Sequence, residues 1–214
     1  MVSTNLKLWG ISLVSIISFT SCAFSTGHVS LSYVADPTKK SPLFTIKPIT
    51  IVLVVDDQRP AIATDRVGEK ITGFGTVGAK VIANTDVSLS LYTALKSEFE
   101  NNGHRVLQIQ DDRSEIVIDV HLKKFWSESK SRNTYIEMTG FLNVDIAIAN
   151  PRTFGMRYSK AINTTFQERT HESSTDRNYE SVLNGVLTEF IRVFARDQMI
   201  LEALRRARQE KETR

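Results

Sequence analysis

The stretch Tyr179–Phe194, YESVLNGVLTEFIRVF, carries the strongest periodic pattern in this 214-residue chain. Its apolar residues recur at intervals of three and four, which is the spacing of one face of an α-helix. These residues are Tyr179, Val182, Leu183, Val186, Leu187, Phe190, Ile191 and Phe194. The sequence therefore predicts a helix that packs this stripe against a sheet, with Asp176 as its N-cap and Val186 and Phe190 at the centre of the buried face.

Two further helices are predicted. Asp86 is a plausible N-cap for a helix that continues to about Asn102, because Val87, Leu91, Leu95 and Phe99 form one apolar stripe. Gly103 follows as the expected C′ stop. A short helix is expected after Asp197, and its inward residues are predicted to be Met199, Ile200 and Leu204.

The strands follow from alternating or continuous apolar runs. Residues 49–55 (ITIVLVV) are apolar on both faces, which is typical of an interior strand. A hairpin is expected within residues 61–84, and residues 115–126, 135–149 and 156–167 form an antiparallel meander. The predicted fold class is α+β, with a mixed, largely antiparallel sheet of about five to six strands and two main helices packed on one face.

The segment Gly73–Gly78 (GFGTVG) matches the GxGxxG pattern of dinucleotide sites. Such a site needs a strand that runs directly into the motif and a helix that begins within it. Here the firm strand ends at Val55 and the helix signal begins only at Asp86. Glycines that permit tight turns therefore explain the motif better than a nucleotide site.

The N-terminus carries an export signal. Residues 8–22, LWGISLVSIISFTSC, form an apolar run that follows a positive charge at Lys7 and ends in small residues. The run is shorter than the roughly 20 residues that a membrane-spanning helix needs. Its ending, Phe19 to Cys22, resembles the lipobox of bacterial lipoproteins, in which the cysteine is lipidated and becomes the mature N-terminus. An ordinary signal peptide that happens to contain a cysteine is the alternative.

The single cysteine favours lipidation, because an exported protein with one cysteine cannot form an internal disulfide. The resemblance implies three acyl chains, palmitate among them, on Cys22. It also implies the periplasmic side of the outer membrane, because Ala23 stands where Asp signals retention in the inner membrane. The expected organisation is a signal peptide (1–21), a lipidated N-terminus and tether (22–48), one α+β periplasmic domain (49–208) and a disordered tail (209–214).

Composition and motifs exclude several functions. A net charge of +3 is too small to indicate nucleic acid as a partner. None of the four histidines has a second ligand at metal spacing, and no HExxH, CxxC or GxSxG motif is present, so no metal, cofactor or catalytic residue is predicted. The best candidates for a catalytic pair are Asp56 and Asp57, because they lie at the end of a strand. A polar turn that closes the strand is the favoured explanation of these two residues.

Short motifs resemble the YajG-like family of uncharacterised enterobacterial-type lipoproteins. They are Cys22 in the lipobox, the turn Asp57-Gln58-Arg59 after the first strand, the helix Ser88–Asn102 with its exit Gly103-His104, and the strand Val144–Ile148. The resemblance implies a lipid-anchored envelope location and this fold, but it implies no activity.

Two functional hypotheses follow. Because two helices cannot easily cover both faces of the sheet, we expect one face to stay open. The residues predicted to line a partner surface there are Asp119, His121, Tyr135, Phe141, Asn143 and Asp145. The favoured hypothesis is a non-enzymatic protein that binds or scaffolds an envelope protein or glycan, with a second copy of the chain as another occupant. The alternative is a lipid-anchored hydrolase or lyase that acts on a periplasmic polymer.

Overall fold

The computed structural model describes residues 25–60, 65–71, 76–149, 151, 156–171 and 175–212. Within these ranges the chain forms eight strands, three α-helices and one 3-10 turn, Pro42–Thr45. The strands are β1 (Gly27–Val29), β2 (Thr50–Asp57), β3 (Arg66–Ile71), β4 (Val77–Ala83), β5 (Arg105–Leu107), β6 (Ile116–Ser131), β7 (Ile136–Ala149) and β8 (Met156–Thr170). The helices are α1 (Val87–Asn101), α2 (Asp176–Arg196) and α3 (Gln198–Glu212). In this described part, no helix is both long and apolar enough to cross a membrane.

All eight described strands belong to one sheet, and β6 is the central strand, which pairs with β2, β3 and β7. On one side β6 pairs antiparallel with β7 from Val117 to Ser131, and β8 continues the antiparallel order beyond β7. The other side of β6 is divided between two parallel partners. β2 pairs with its first half, and β3 meets its second half at Gly68 and Ser127. β5 lies beyond β2, whereas β4 and then β1 lie beyond β3.

The predicted α+β class is confirmed, as are the mixed sheet and the β6–β7–β8 meander. The sheet has eight strands, however, rather than five or six. Two of these strands, β1 and β5, are only three residues long, and an alternating pattern cannot mark so short a strand. The predicted hairpin is formed by β3 and β4. Gly73 and Gly75 of the GxGxxG motif lie outside the described residues.

A β-bulge in β6 exchanges the two faces of that strand half-way along. Ile116, Ile118, Val120 and Leu122 face the core before the bulge, whereas Phe125, Ser127 and Ser129 face it afterwards. The register to β7 shifts between Leu122 and Lys124, which leaves Lys123 as the extra residue. Because of this shift, Trp126 lies on the face opposite to the core. The sequence pattern, taken without the bulge, does not predict that position.

The two main helices pack on one face of the sheet, as predicted. In α1, the Asp86 carboxylate accepts a hydrogen bond from the backbone N–H of Leu89 (2.9 Å), and Gly103 terminates the helix with φ 89°. The α2 stripe is fully confirmed, since all eight of its apolar residues are at most 2% exposed. The helices meet through the rings of Phe99 and Phe194, whose centroids are 5.6 Å apart. The N-cap of α2 is Thr175, which forms a capping box with Asn178, rather than Asp176.

The third helix is longer than expected. Ile200 and Leu204 are fully buried as predicted, but Met199 is 53% exposed, so its inward assignment was wrong. Leu201 and Ala203 are buried instead, because the apolar stripe of α3 begins one residue later. The helix continues to Glu212 and therefore includes most of residues 209–214, which composition indicated as a disordered tail.

Glycine at position 140 allows α2 to approach the sheet closely. A Cβ atom at Gly140 would lie 2.9 Å from the backbone oxygen of Val182 and 3.1 Å from Cγ1 of Val186. Gly140 pairs with Ser127 on β6 and with Phe166 on β8, so it is the smallest member of a cross-strand row beneath the helix. The close approach that glycine in a strand interior can mark is the reason for this residue.

The N-terminal segment packs along both main helices. The backbone N–H of Ser30 donates to Glu180 of α2 (2.8 Å), and the hydroxyl of Tyr33 donates to Glu98 of α1 (2.7 Å). Leu43 is completely buried. Residues 27–46, part of the segment 22–48 that composition assigned to a tether, therefore pack on the folded domain. Residues 1–24, with the predicted signal peptide and Cys22, lie outside the described residues.

Candidate functional site: the open face of the sheet

The sheet face opposite the helices, called the open face below, carries the residues that the sequence singled out. Asp119 and His121 of β6 alternate with the core residues of that strand, and Phe141, Asn143 and Asp145 of β7 do the same. All five are half-buried. The strand register places His121 directly opposite Asp145. The predicted residues therefore share one face, although no observation assigns them a role.

Tyr135 stands apart from this group. It precedes β7 by one residue and lies six residues from Phe141, which corresponds to about 20 Å along a strand. Its ring lies beneath the guanidinium of Arg169, with 5.0 Å between the guanidinium carbon and the ring centroid. Tyr135 thus marks the far end of the open face.

A polar cluster surrounds His121 at the end of β2. The amide nitrogen of Gln58 donates to Asp56 Oδ2 (2.8 Å) and lies 2.9 Å from His121 Nδ1. Lys123 donates to Gln58 Oε1 (2.5 Å) and lies 3.5 Å from Asp145 Oδ2. The fixed opposite charges of Lys123 and Asp145 are paired between β6 and β7, and Gln58 joins both Asp56 and Lys123 to His121.

The adjacent carboxylates Asp56 and Asp57 do not form a catalytic pair. They alternate along β2, so that Asp56 lies on the open face and Asp57 on the other. The carboxylate of Asp57 accepts hydrogen bonds from the backbone N–H (3.0 Å), Nε (2.9 Å) and Nη2 (2.7 Å) of Arg59. Arg59 is 7% exposed, so this ion pair closes the turn after β2 as a structural element.

Next to the polar cluster lies an aromatic patch formed by Trp126, Phe141, Arg66 and Lys124. Trp126 and Phe141 are direct cross-strand neighbours. The Lys124 ammonium lies 4.1 Å from the centroid of the Phe141 ring, and the Arg66 guanidinium carbon lies 5.6 Å from that of Trp126. Both distances are within the range of cation–π attraction. The sequence indicated only Phe141 of these four, because the bulge that turns Trp126 outward leaves no trace in the apolar pattern.

Metal chemistry has no support in the described ranges, where no group of three or more His, Cys, Asp or Glu side chains lies together. His104, from the Gly103-His104 exit of α1, is structural. Its Nε2 lies 3.1 Å from the Leu43 carbonyl oxygen, and its Nδ1 accepts from the backbone N–H of Ile49 (3.4 Å). Burial lowers the pKa of His104 more than the hydrogen bond to Leu43 raises it.

Residues 40–205 match the model of a family described as uncharacterized lipoproteins (Lipoprotein_16). The chain belongs to this family. This assignment confirms the resemblance to a family of uncharacterised lipoproteins that the sequence motifs indicated. The matched residues cover almost the whole described fold. No protein among those with curated functions matches this chain.

Several solved structures are similar to this chain at low sequence identity. A DUF330 protein from Xanthomonas campestris is similar over 87% of the lipoprotein and 99% of its own chain, with 13% identity and a TM-score of 0.53. A lipoprotein from Neisseria meningitidis matches with 8% identity, coverage of 70% and 100%, and a TM-score of 0.38. A minor lipoprotein from Acinetobacter baumannii matches with 11% identity, coverage of 70% and 92%, and a TM-score of 0.38. The first of these supports the assignment of the fold and nothing further.

Proposed function

We propose that this lipoprotein is a non-enzymatic binding or scaffolding protein of the cell envelope, and that its partner docks on the open face. The observation that carries the proposal is the aromatic patch, in which Trp126 and Phe141 lie side by side on a sheet face opposite both main helices. Aromatic side chains flanked by cations on an uncovered surface are the kind of group that dominates binding energy at interfaces.

The anchor is proposed from the sequence. Lipidation of Cys22 would hold the protein on the outer membrane, facing the periplasm, with Ala23 as the reason for favouring that membrane. Each buried methylene of an acyl chain contributes about 0.8 kcal/mol, so two or more chains would give stable attachment. β1, the first described strand, begins at Gly27, five residues after Cys22, so a lipid on Cys22 would lie close to the folded domain. The open face would then work close to the membrane surface.

The partner is either an envelope protein or a glycan. The polar cluster around His121 contains two carboxylates, Asp56 and Asp145, and one ammonium, Lys123, so its net charge is small, which speaks against a highly charged polymer as the partner. The hydrolase or lyase alternative would need a general acid or base, and His121 with Asp56 is the pair that it would use.

In-cell photocrosslinking tests the proposal. A photoreactive residue is placed at Phe141, Asn143 or Asp145 on the open face, and at Lys96, a partly exposed position on α1, as the control. We expect defined adducts from the open-face positions and none from position 96, and mass spectrometry of the adducts identifies a protein, a glycan or a second copy. Trp126→Ala should reduce the adduct at position 143, because loss of a central aromatic residue costs about 2 kcal/mol or more, roughly 30-fold in affinity.

The same strains separate the two hypotheses. The binding proposal is refuted if no open-face position gives an adduct and the purified protein degrades an envelope polymer. If His121→Gln also abolishes that activity, the hydrolase hypothesis is correct. Adducts that persist unchanged in Trp126→Ala would instead show that the aromatic patch does not hold the partner.

A further inference from the structure

Among the described residues, the sheet has three outermost strands, two of them short and one long. Two of its outermost strands, β1 and β5, have only three residues each, whereas β8 has fifteen. β8 pairs with β7 alone in the described part of the chain. Its sequence contains no proline, and the side chains of residues 159–161 and of Asn163, Thr165, Gln167 and Arg169 are exposed. β8 is protected neither by shortness nor by proline, although it carries charged side chains, and a long edge strand is a template for pairing with another strand.

The sequence of β8 is complementary to itself when it is read in the opposite direction. With Thr164 at the centre of an antiparallel pair of identical strands, Lys160 of one copy stands opposite Glu168 of the other, and Ile162 stands opposite Phe166. Both matches occur twice, because the pairing is symmetric. Within its own chain the Lys160 ammonium lies 2.5 Å from the Asp197 carboxylate, so Glu168 of the second copy would add a second anion beside it. Opposite charges and apolar pairs at directly facing positions are the favourable cross-strand combinations.

Neighbouring registers lack this match. Moving the centre to Asn163 places Lys160 opposite Phe166, and moving it to Thr165 places Ile162 opposite Glu168. Each shift therefore sets a charge against an apolar side chain, twice in a symmetric pair. The register centred on Thr164 also sets small or uncharged polar side chains against one another on the open face, namely Ala161 against Gln167 and Asn163 against Thr165. One register is thus selected over its neighbours.

The position of α2 leaves room for a second copy. The helix lies over β7 and β8, since Gly140 faces Val182 and Phe166 faces Gly185. Two helices placed over the outer strand pairs of two joined sheets would be about 10 Å apart, given strand spacings of about 4.8 Å, and helices pack at 8–10 Å. On the side of α2 toward β8, Ser181 donates a hydrogen bond to Glu168 (2.8 Å), so a small residue lies where the second helix would approach.

We propose that two copies of this chain associate through β8, antiparallel and centred on Thr164, to form one continuous sheet. The two-fold axis is perpendicular to the sheet, so the α2 helices of both copies lie on one side and the two open faces join on the other. This dimer does not use the aromatic patch, so its test is independent of the test of the binding role proposed above.

Paired cysteines test the register directly. Ala161 and Gln167 are exposed on the open face, and the proposal places them opposite each other in the two copies. The full-length double variant Ala161→Cys/Gln167→Cys, in membranes treated with a mild oxidant, should migrate as a disulfide-linked dimer on a non-reducing gel. The two single variants should form no disulfide-linked dimer and should migrate as monomers on the gel. The two copies of each residue would be about 20 Å apart, whereas a disulfide needs Cα atoms within about 7 Å. The unmodified chain measures any background from Cys22.

A charge reversal provides the second arm. Glu168→Lys sets Lys against Lys160 at both ends of the pair and should lower the crosslinked fraction of the double-cysteine variant about tenfold. Glu202→Lys, an exposed reversal on α3, should leave it unchanged. If the double-cysteine variant does not accumulate, co-expression of the two single variants with different tags gives the same readout as a mixed dimer. Cysteines at positions 161 and 167 that react with a maleimide but form no more dimer than the single variants would overturn the proposal.

Discussion

Replacing Gly140 by alanine tests how tightly α2 is seated on the sheet. The new Cβ atom would lie 2.9 Å from the backbone oxygen of Val182 and 3.0 Å from its Cγ1. Carbon contacts are favourable near 3.5–4.0 Å, so the helix would have to retreat by roughly 0.5 Å. A backbone oxygen cannot rotate out of the way as a side chain can. The whole buried stripe of α2 would therefore share the displacement.

The expected loss follows from two opposing effects. Overpacking of a filled core costs about 1–3 kcal/mol, and replacing glycine in a strand returns about 0.5–1 kcal/mol. We expect a net destabilisation of about 1–2 kcal/mol, which lowers the melting temperature by about 2–8 °C for a domain of this size. Thermal unfolding followed by circular dichroism measures this change.

Gly185→Ala is the matched control, because Gly185 lies on the helix side of the same interface. Its new Cβ would lie 2.5 Å from the ring of Phe166. This ring is half-buried on an edge strand, so it can rotate away from the new methyl group. Alanine in a helix interior is favoured over glycine by about 1 kcal/mol, so the two effects should nearly cancel. A Gly140→Ala protein that melts at or above the wild-type temperature, or that melts higher than Gly185→Ala, would refute this account of the packing.

Three further outcomes are expected. Val186→Asp should abolish cooperative unfolding, because it buries a carboxylate in a fully buried position, whereas Glu189→Ala on the exposed side should change the melting temperature by about 3 °C or less. Because the pKa of His104 is lowered in the folded protein, its contribution to stability is present above the ordinary value of 6.5 and is lost as the pH falls below that value. The melting temperature should therefore drop between pH 7.5 and pH 5.5, and it should drop less in His104→Gln. An equal drop in both proteins would contradict the assignment. Cys22→Ala should abolish labelling by radioactive palmitate and leave the precursor unprocessed, and labelling that persists would exclude Cys22 as the acceptor.

Local periodicity was sufficient for the helices and the long strands. The stripe from Tyr179 to Phe194 is buried throughout, and α1 begins and ends at the residues that its caps indicated. Both signals depend on neighbours within about four residues along the chain, which a sequence records directly. Where the signal was a single residue, as for Met199, the prediction failed, because a shift of one position moves a side chain by 100° around a helix.

The open face was predicted in part. The alternation along β6 and β7 placed His121, Asn143 and Asp145 on one side, and the structure agrees. Trp126 was missed, because the bulge at Lys123 reverses the alternation without changing the composition of the strand. The separation of Asp56 from Asp57 follows from the strand period alone, and Asp57 pairs locally with Arg59, but the position of Asp56 beside His121 came only from the pairing of β2 with β6.

The sequence by itself determined the family, the three helices, the meander and the residues available for the outward face. Tertiary structure alone decided that β6 has β2 and β3 on one edge, that the segment 27–46 packs on both helices, and that β8 is left as the long free edge. The physical reason is the range of the interactions. Helical and strand periods arise between residues close in the chain, whereas strand order and register are set by contacts between residues far apart in it, which depend on how all the elements bury their apolar faces together.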